Sequence, residues 1–143
     1  MFKIIVLFLL LFVIGTIFYF SWLPDHSFET ETYLPKWLLN WSNYYYNLRT
    51  AVPFVAVGFL LEAYTQHRRS LKGMNNDKNL NFLKNIGIAT IIVCMAEGGQ
   101  FLMQKRNPDL MDVVFGILGS FVGALAYFLV DILMNFKRIR NAK

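Results

Sequence analysis

Four long runs of apolar residues, separated by polar and charged segments, dominate the hydropathy pattern of this chain of 143 residues. A helix that spans a membrane needs about 20 predominantly apolar residues, and three of the four runs come close to or exceed that length. We therefore expect an all-α fold, an integral membrane bundle of four transmembrane helices that forms a single domain over residues 1–143. The predicted helices cover residues 4–22, 45–65, 85–103 and 108–136.

The second run is the shortest of the four. Its uninterrupted apolar part covers only residues 51–61, which is too short to cross a bilayer. It becomes long enough when Arg49 and Glu62 are included, and their charged ends must then reach opposite faces of the membrane. Pro53 lies near the start of the apolar part and is expected to kink the helix there.

The first run allows two interpretations, because a basic residue followed by an apolar stretch is shared by signal peptides and membrane helices. Lys3 precedes the seventeen uncharged residues 4–20. This run is longer than a normal signal-peptide core, and no small-x-small cleavage site follows it. A retained helix is the preferred interpretation, and a cleaved signal peptide is the alternative.

An aromatic-rich segment separates the first two runs. Three tryptophans lie in or beside the acidic loop that follows the first run, and Tyr44, Tyr45 and Tyr46 come directly after it. Aromatic side chains gather at the membrane–water interface, where the ring is half apolar and its polar tip is wet. We favour an interfacial location for residues 36–46, and the alternative is that they line an aqueous pocket.

Composition agrees with a membrane protein and argues against other classes. Hydrophobic residues make up 56% of the chain, above the roughly 45–50% of soluble domains. The formal net charge is +5, but the basic residues flank apolar runs and do not form a soluble basic face, which argues against nucleic-acid binding. Cys94 is the only cysteine, so no internal disulfide can form. The usual Cys and His spacings of metal sites and the motifs of phosphate-binding loops are absent from the sequence, so no metal and no cofactor is expected.

The distribution of Lys and Arg predicts the orientation, because these residues collect in cytoplasmic loops. With the N-terminus inside, ten of the fourteen Lys and Arg residues lie on the cytoplasmic side and four lie outside. The reverse orientation would invert that ratio. We therefore expect both termini in the cytoplasm, with the connection between the third and fourth helices outside.

A cluster of polar residues surrounds that outer connection. Five polar groups fall within sixteen residues of the chain: Glu97, Gln100, Arg106, Asp109 and Asp112. Glu97 and Gln100 are three residues apart and share one helix face. A carboxylate inside a membrane span must be protonated, paired or placed against a wet cavity. The cluster therefore predicts a polar ligand-binding site at the outer face of the bilayer.

The start of the fourth helix has its own sequence signals. Asn107 is a good N-cap and Pro108 a good first helical residue, while Asp109 falls in the first turn, where the helix dipole favours negative charge. Asp109 is therefore either a capping residue or part of the site. Further along, Gly119 and Gly123 form a small-xxx-small ridge on which a partner helix can pack closely.

The pattern Glu97-x2-Gln100-x5-Arg106-x2-Asp109-x2-Asp112, followed by Gly119-x3-Gly123, resembles the VanZ-like family of small multi-pass bacterial membrane proteins. Family members usually carry an Asn four residues after the aspartate that matches Asp112, where this chain has Gly116. The resemblance implies a cell-envelope protein of the bacterial cytoplasmic (inner) membrane. The namesake group is linked to resistance to the glycopeptide teicoplanin, and most members have no established biochemical activity.

Three hypotheses about function follow. The leading one is an outward polar site that binds a cell-envelope precursor or a lipid headgroup and affects glycopeptide susceptibility. The second is a membrane enzyme that modifies lipid or glycan groups, with Glu97 or Asp112 as base and Arg106 as the holder of an anion. The third is a structural membrane-partner protein with no ligand, in which Arg106 only neutralises Asp109 and Asp112.

The predicted orientation is tested by cysteine accessibility in intact cells, after Cys94 has been replaced. We expect Asn107→Cys to react with a membrane-impermeant thiol reagent added from outside, and Asn75→Cys to react only after the cytoplasmic side is exposed. Labelling of position 75, and not of position 107, from outside would overturn the topology.

Overall fold

The computed structural model describes residues 1–23, 34–72, 78–102 and 108–141, and these are all helix, turn or short connection. The expected all-α fold is confirmed, since the described residues contain no strand. Five helices follow one another along the chain: α1 (Phe2–Ser21), α2 (Lys36–Tyr44), α3 (Tyr46–Lys72), α4 (Lys78–Gln100) and α5 (Leu110–Asn141).

Four of these helices are long and apolar enough to cross a membrane, which defines a multi-pass membrane protein. The candidate spans are Phe2–Ser21, Tyr46–His67, Leu80–Gln100 and Leu110–Lys137. Between 17% and 33% of each span is buried inside the protein, so most of the apolar surface points outward. Such an outward apolar surface is what a bundle surrounded by lipid requires, because the helices satisfy their own backbone hydrogen bonds.

The helices extend beyond the predicted spans at the end of the bundle that holds the N-terminus. The polar segment of residues 66–84, which separates the predicted helices 45–65 and 85–103, is helical up to Lys72 and again from Lys78. Residues 73–77 lie outside the described residues. The physical reason is that Gln, Arg, Leu and Lys are good helix formers, so a helix continues into water after its apolar stretch ends. The hydropathy of the sequence therefore predicts the end of a membrane span, but it does not predict the end of the helix.

Helices α3 and α5 make the most extensive contact between any two of the described helices. Glycines allow their backbones to meet directly: Gly58 of α3 lies against the backbone of Ser120, and Gly119 and Gly123 of α5 lie against Ala51 and Val55. A Cβ atom at any of these three glycines would collide with backbone carbonyl oxygen. The close partner of the Gly119–Gly123 ridge is thus α3 of the same chain.

The core of the bundle lies between this helix pair and the faces of α1 and α4. Its most buried apolar side chains, each at most 2% exposed, are Phe54 and Val57 of α3, Ala89, Val93 and Ala96 of α4, and Ala124 of α5. Leu10 and Ile17 of α1 pack against the same cluster. Small residues at the α4 positions let that helix approach closely, which matches the packing of helices in lipid.

The expectation that the charged end of Glu62 reaches a membrane face is wrong. Glu62 is only 1% exposed within the bundle. Three residues on, and so on the same face of α3, Thr65 donates a hydrogen bond of 3.2 Å to Oδ1 of the buried Asn85 on α4. The face of α3 that carries Glu62 therefore points toward neighbouring helices, and a side chain on such a face cannot extend to the surface.

Replacing Gly58 or Gly123 with alanine tests the α3–α5 contact. We expect each variant to lose about 1–3 kcal/mol of stability, the usual cost of overpacking a tight site, measured as a lower unfolding midpoint in detergent micelles. Gly87→Ala is the matched control, since nothing lies within 4 Å of the position its Cβ would take. Alanine is the better helix former, so the control should be unchanged or slightly more stable. Equal effects at all three positions would contradict the backbone contact.

Candidate functional site

A cavity of about 200 Å³ lies where one end of each long helix meets the short helix α2. The C-terminal parts of α1 and α4, the N-terminal parts of α3 and α5, and one face of α2 all contribute to its wall. Its lining residues are Thr16, Ile17, Phe20, Ser21, Leu34, Leu38, Leu39, Trp41, Ser42, Arg49, Thr50, Pro53, Phe54, Ala96, Glu97, Gln100 and Asp112. Three of the five predicted site residues, Glu97, Gln100 and Asp112, thus share one cavity.

Glu97 and Gln100 reach the cavity from the last turns of α4, as their spacing predicts. Glu97 is 6% exposed and Gln100 is 3% exposed. The Gln100 side-chain nitrogen donates a hydrogen bond of 3.0 Å to Ser21 Oγ, and Ser21 Oγ donates one of 3.1 Å to the Ala96 carbonyl. This chain of hydrogen bonds ties the end of α1 to the end of α4 and holds Gln100 in the wall.

Trp22 strengthens the same junction. Its ring nitrogen Nε1 donates a hydrogen bond of 3.2 Å to the Ala96 carbonyl, which therefore accepts from both Ser21 and Trp22. The indole ring lies directly against Gly99, at the place where any larger residue would put its Cβ. The absence of a side chain at Gly99 thus leaves room for the Trp22 ring. This contact and the hydrogen bond to Ala96 hold the C-terminal end of α1 against α4.

Asp112 enters the cavity from the first turn of α5. It is 4% exposed, and its Oδ1 accepts a hydrogen bond of 2.9 Å from Thr50 Oγ1 of α3. The close α3–α5 packing brings these two groups together. A hydroxyl donor stabilises a buried carboxylate, so Thr50 orients Asp112 and lowers the cost of its burial.

Asp109 caps α5 and does not line the cavity. Its Oδ1 accepts a hydrogen bond of 2.8 Å from the backbone N–H of Met111, and its Oδ2 accepts a hydrogen bond from the Tyr46 hydroxyl. We expected Asn107 as the N-cap, but α5 begins at Leu110, so Asp109 takes that position. Asp109 therefore belongs to the frame of the site and links the start of α5 to the start of α3.

Arg106 lies outside the residues that the structure describes, and the cation of the described cavity is Arg49. This residue is half-buried on α3, and its guanidinium carbon lies 5.7 Å from the centre of the Tyr46 ring. Sequence reasoning had assigned Arg49 only to the membrane surface. Its position one turn before Pro53, at the same end of the bundle as the polar cluster, was the signal that could have identified it.

Helix α2 is amphipathic. One part of its surface lines a pocket and another part is exposed, so both interpretations of residues 36–46, an interfacial location and the lining of a pocket, apply to it. Leu38, Trp41 and Ser42 line the cavity, whereas Trp37 and Tyr44 on the other side are 71% and 80% exposed. The outward aromatic residues suit a membrane–water interface. One face of α2 therefore closes the cavity while the opposite face is available to the interface.

Ser42 is the second functional candidate that sequence reasoning missed. The residue is 4% exposed, and its Oγ makes no hydrogen bond with any residue that the structure describes. A buried hydroxyl without such a bond is energetically unfavourable. Within the cavity wall it therefore offers a hydrogen-bonding position to an occupant.

The charges of the cavity have both signs. Among the described lining residues, the charged groups are one guanidinium (Arg49) and two carboxylates (Glu97 and Asp112). The described part of the chain contains no group of three or more His, Cys, Asp or Glu side chains that could hold a metal ion. The arrangement can bind small polar groups through charge-assisted hydrogen bonds.

Fold and site together define a multi-pass helical membrane protein with a polar cavity at one end of its bundle. Comparison of the chain with protein-family models, with curated proteins and with solved structures found no match.

The Tyr46–Asp109 hydrogen bond can be tested by removing one hydroxyl. We expect Tyr46→Phe to lower the free energy of unfolding by about 1–3 kcal/mol, because it removes a hydrogen bond to a charged group that joins two helix ends. Tyr44→Phe provides the matched control, since Tyr44 is exposed and two residues away. Equilibrium unfolding in mixed micelles measures both; equal stability of the two variants would contradict a structural role for Tyr46.

Proposed function

We propose that this protein is a VanZ-like envelope protein of the bacterial inner membrane whose cavity binds a lipid headgroup or the headgroup part of a cell-envelope precursor. The observation that carries the proposal is the convergence of Glu97, Gln100 and Asp112 on one cavity. These residues come from two helices and from three positions of the motif that resembles the VanZ-like family. Polar groups that converge in a largely apolar pocket are typical of ligand sites.

An outward-facing cavity is supported by the charge pattern. The N-terminus of α1 lies at the opposite end of the bundle from the cavity, since Lys3 Nζ is 5.5 Å from the centre of the Tyr64 ring and Phe2 stacks near His67. That opposite end carries most of the Lys and Arg residues, which accumulate on the cytoplasmic side. The cavity then faces the side on which envelope precursors and outer-leaflet lipids are exposed.

The size of the cavity favours a headgroup over a complete precursor. Pockets that enclose drug-sized ligands have volumes of about 300–1,000 Å³, whereas this cavity has about 200 Å³. A complete glycan or peptide would have to extend out of it. An effect on glycopeptide susceptibility would then come from binding or sequestering the lipid-linked part of a precursor.

An enzyme that modifies lipid or glycan groups is the second candidate, favoured by the presence of two carboxylates in one cavity. Glu97 and Asp112 both line the cavity, and each is a candidate general base. Arg49 could hold an anion in the role first considered for Arg106. The third hypothesis, a structural protein without ligand, gives no role to the cavity or to the buried Ser42 hydroxyl.

The decisive test is lipid and precursor mass spectrometry of the protein purified in native membrane patches. We expect wild-type protein to be enriched in one lipid or precursor class relative to the surrounding membrane, and Glu97→Gln to lose that enrichment at normal abundance. Glu62→Gln is the matched control, because Glu62 is a buried membrane carboxylate that does not line the cavity.

Two other outcomes separate the alternatives. A lipid or precursor profile that changes on overexpression, and reverts with Glu97→Gln, would indicate an enzyme. Bound lipid that mirrors the bulk membrane, with full cellular function in Glu97→Gln and Arg49→Ala, would refute a ligand site and leave the structural hypothesis.

A further inference from the structure

Ser42 differs from the other hydroxyl-bearing serine and threonine side chains of the protein. Every other serine or threonine whose side chain the structure describes donates a hydrogen bond within the chain: Thr16, Ser21, Thr50, Thr65, Thr90 and Ser120. Ser42 is 4% exposed, and its Oγ makes no hydrogen bond with any described residue. A buried hydroxyl that loses its bonds to water without a replacement is costly. A partner on an occupant of the cavity would remove that cost.

The Ser42 hydroxyl is available on the cavity side of α2. Within a helix, a hydroxyl often bonds to the backbone carbonyl four residues earlier, as those of Thr16, Thr90 and Ser120 do. The Ser42 hydroxyl makes no such bond to the Leu38 carbonyl, and the residue lines the cavity. Its donor is therefore not used by its own helix.

The neighbours of Ser42 in this part of the wall are apolar or aromatic. The other lining residues of α2 are Leu38, Leu39 and Trp41. Leu38 is four residues before Ser42, so the two side chains share a helix face with Cβ atoms about 5–6 Å apart. A hydrogen-bond donor beside an apolar side chain matches a neutral acceptor that is attached directly to a hydrocarbon chain.

The depth of α2 in the membrane fits the same kind of group. Trp37 and Tyr44 on the outer side of α2 are 71% and 80% exposed, and such aromatic residues lie at the membrane–water interface. The ester linkages of a phospholipid lie at the boundary between its headgroups and its acyl chains, which is the depth that interfacial helices occupy. Ser42 faces the cavity from a helix at that depth.

We propose that Ser42 binds the ester-linked glycerol region of a phospholipid. Its hydroxyl donates to an acyl ester carbonyl, which can only accept, and the first part of the acyl chain lies against Leu38. The proposal rests on the lipid-binding function above and identifies the ligand as an acyl-ester lipid, since a polyprenyl-linked precursor has no ester carbonyl at that place. The contact does not depend on how the charged side chains of the wall are paired within the protein.

The experiment is native mass spectrometry of the purified full chain with two phospholipids that differ only in the ester or ether linkage of their chains. The pair is mixed in equal amounts, once with phosphoethanolamine and once with phosphoglycerol headgroups, and polyprenyl phosphate is added in a third mixture with the ester lipids. We expect the ester lipid to be retained about twofold to tenfold better than its ether analogue, the factor expected for one neutral hydrogen bond.

Ser42→Ala removes the donor, and we expect this variant to retain the ester and ether lipids equally. Ser120→Ala is the matched control and should keep the wild-type preference, because Ser120 is buried, bonds to the Gly116 carbonyl and does not line the cavity. In lipid-free detergent, Ser42→Ala should not lower the unfolding midpoint, because no hydrogen bond between described residues is lost. Added ester lipid should then raise the midpoint of wild type more than that of Ser42→Ala.

Other results would contradict the proposal in distinguishable ways. Equal retention of ester and ether lipids by wild type, or an ester preference that Ser42→Ala leaves intact, would overturn the ester contact while the lipid-binding function stands. Preferential retention of polyprenyl phosphate would also overturn it and assign the cavity to a precursor. A lower midpoint of Ser42→Ala in lipid-free detergent would show that the hydroxyl serves the packing of α2. Retention of no lipid above detergent controls would overturn both the ester contact and the lipid-binding function.

Discussion

The direct backbone contact between α3 and α5 is the constraint on which the rest of the structure depends. Gly58, Gly119 and Gly123 remove the side chains that would keep the two helices apart. Lipid does not drive helices together as water does, so such close van der Waals packing is a main source of association in a membrane. With the register of the pair fixed, Asp112 meets Thr50 and Asp109 meets Tyr46. The start of α5 is thereby joined to the start of α3, and residues of these two helix starts form one wall of the cavity.

The polar residues around the cavity divide into groups that join the helix ends and groups that line the interior of the cavity. Asp109 binds the backbone of α5 and the Tyr46 hydroxyl, and it lies outside the lining. Gln100 and Ser21 join α1 to α4. Glu97, Arg49 and Ser42 line the cavity on three different helices. A buried polar site is tolerated in a membrane only when its framework is well satisfied, and this one is held by bonds from four helices.

The all-α fold and three polar residues of the candidate site could be predicted from the sequence, and the reasons for success and failure are physical. Apolar run length determines whether a helix can span a bilayer, so the four spans were predictable. The spacing of Glu97 and Gln100 identified one wall of the cavity because residues three apart share a helix face.

Arg49, Glu62 and Ser42 were not predictable in the same way. Hydropathy averages over the circumference of a helix and cannot say which side faces a neighbour. A charged residue near the end of a span can therefore lie at the surface or in a cavity, as Arg49 does. Hydropathy also predicts that Glu62 reaches the surface. Glu62 is instead buried, because its face of α3 packs against other helices. The role of Ser42 depends on where α2 folds back, which only the tertiary structure reveals.

Photo-crosslinking from the two faces of α2 tests the central claim, that this helix closes a ligand-binding cavity, most directly. A photoreactive phenylalanine analogue replaces either Leu38, which lines the cavity, or Trp37, which is exposed. The account predicts that the probe at position 38 captures one lipid class and loses it with Glu97→Gln, while the probe at position 37 captures lipids in proportion to the membrane. Identical lipid capture from both positions, unchanged by Glu97→Gln, would contradict it.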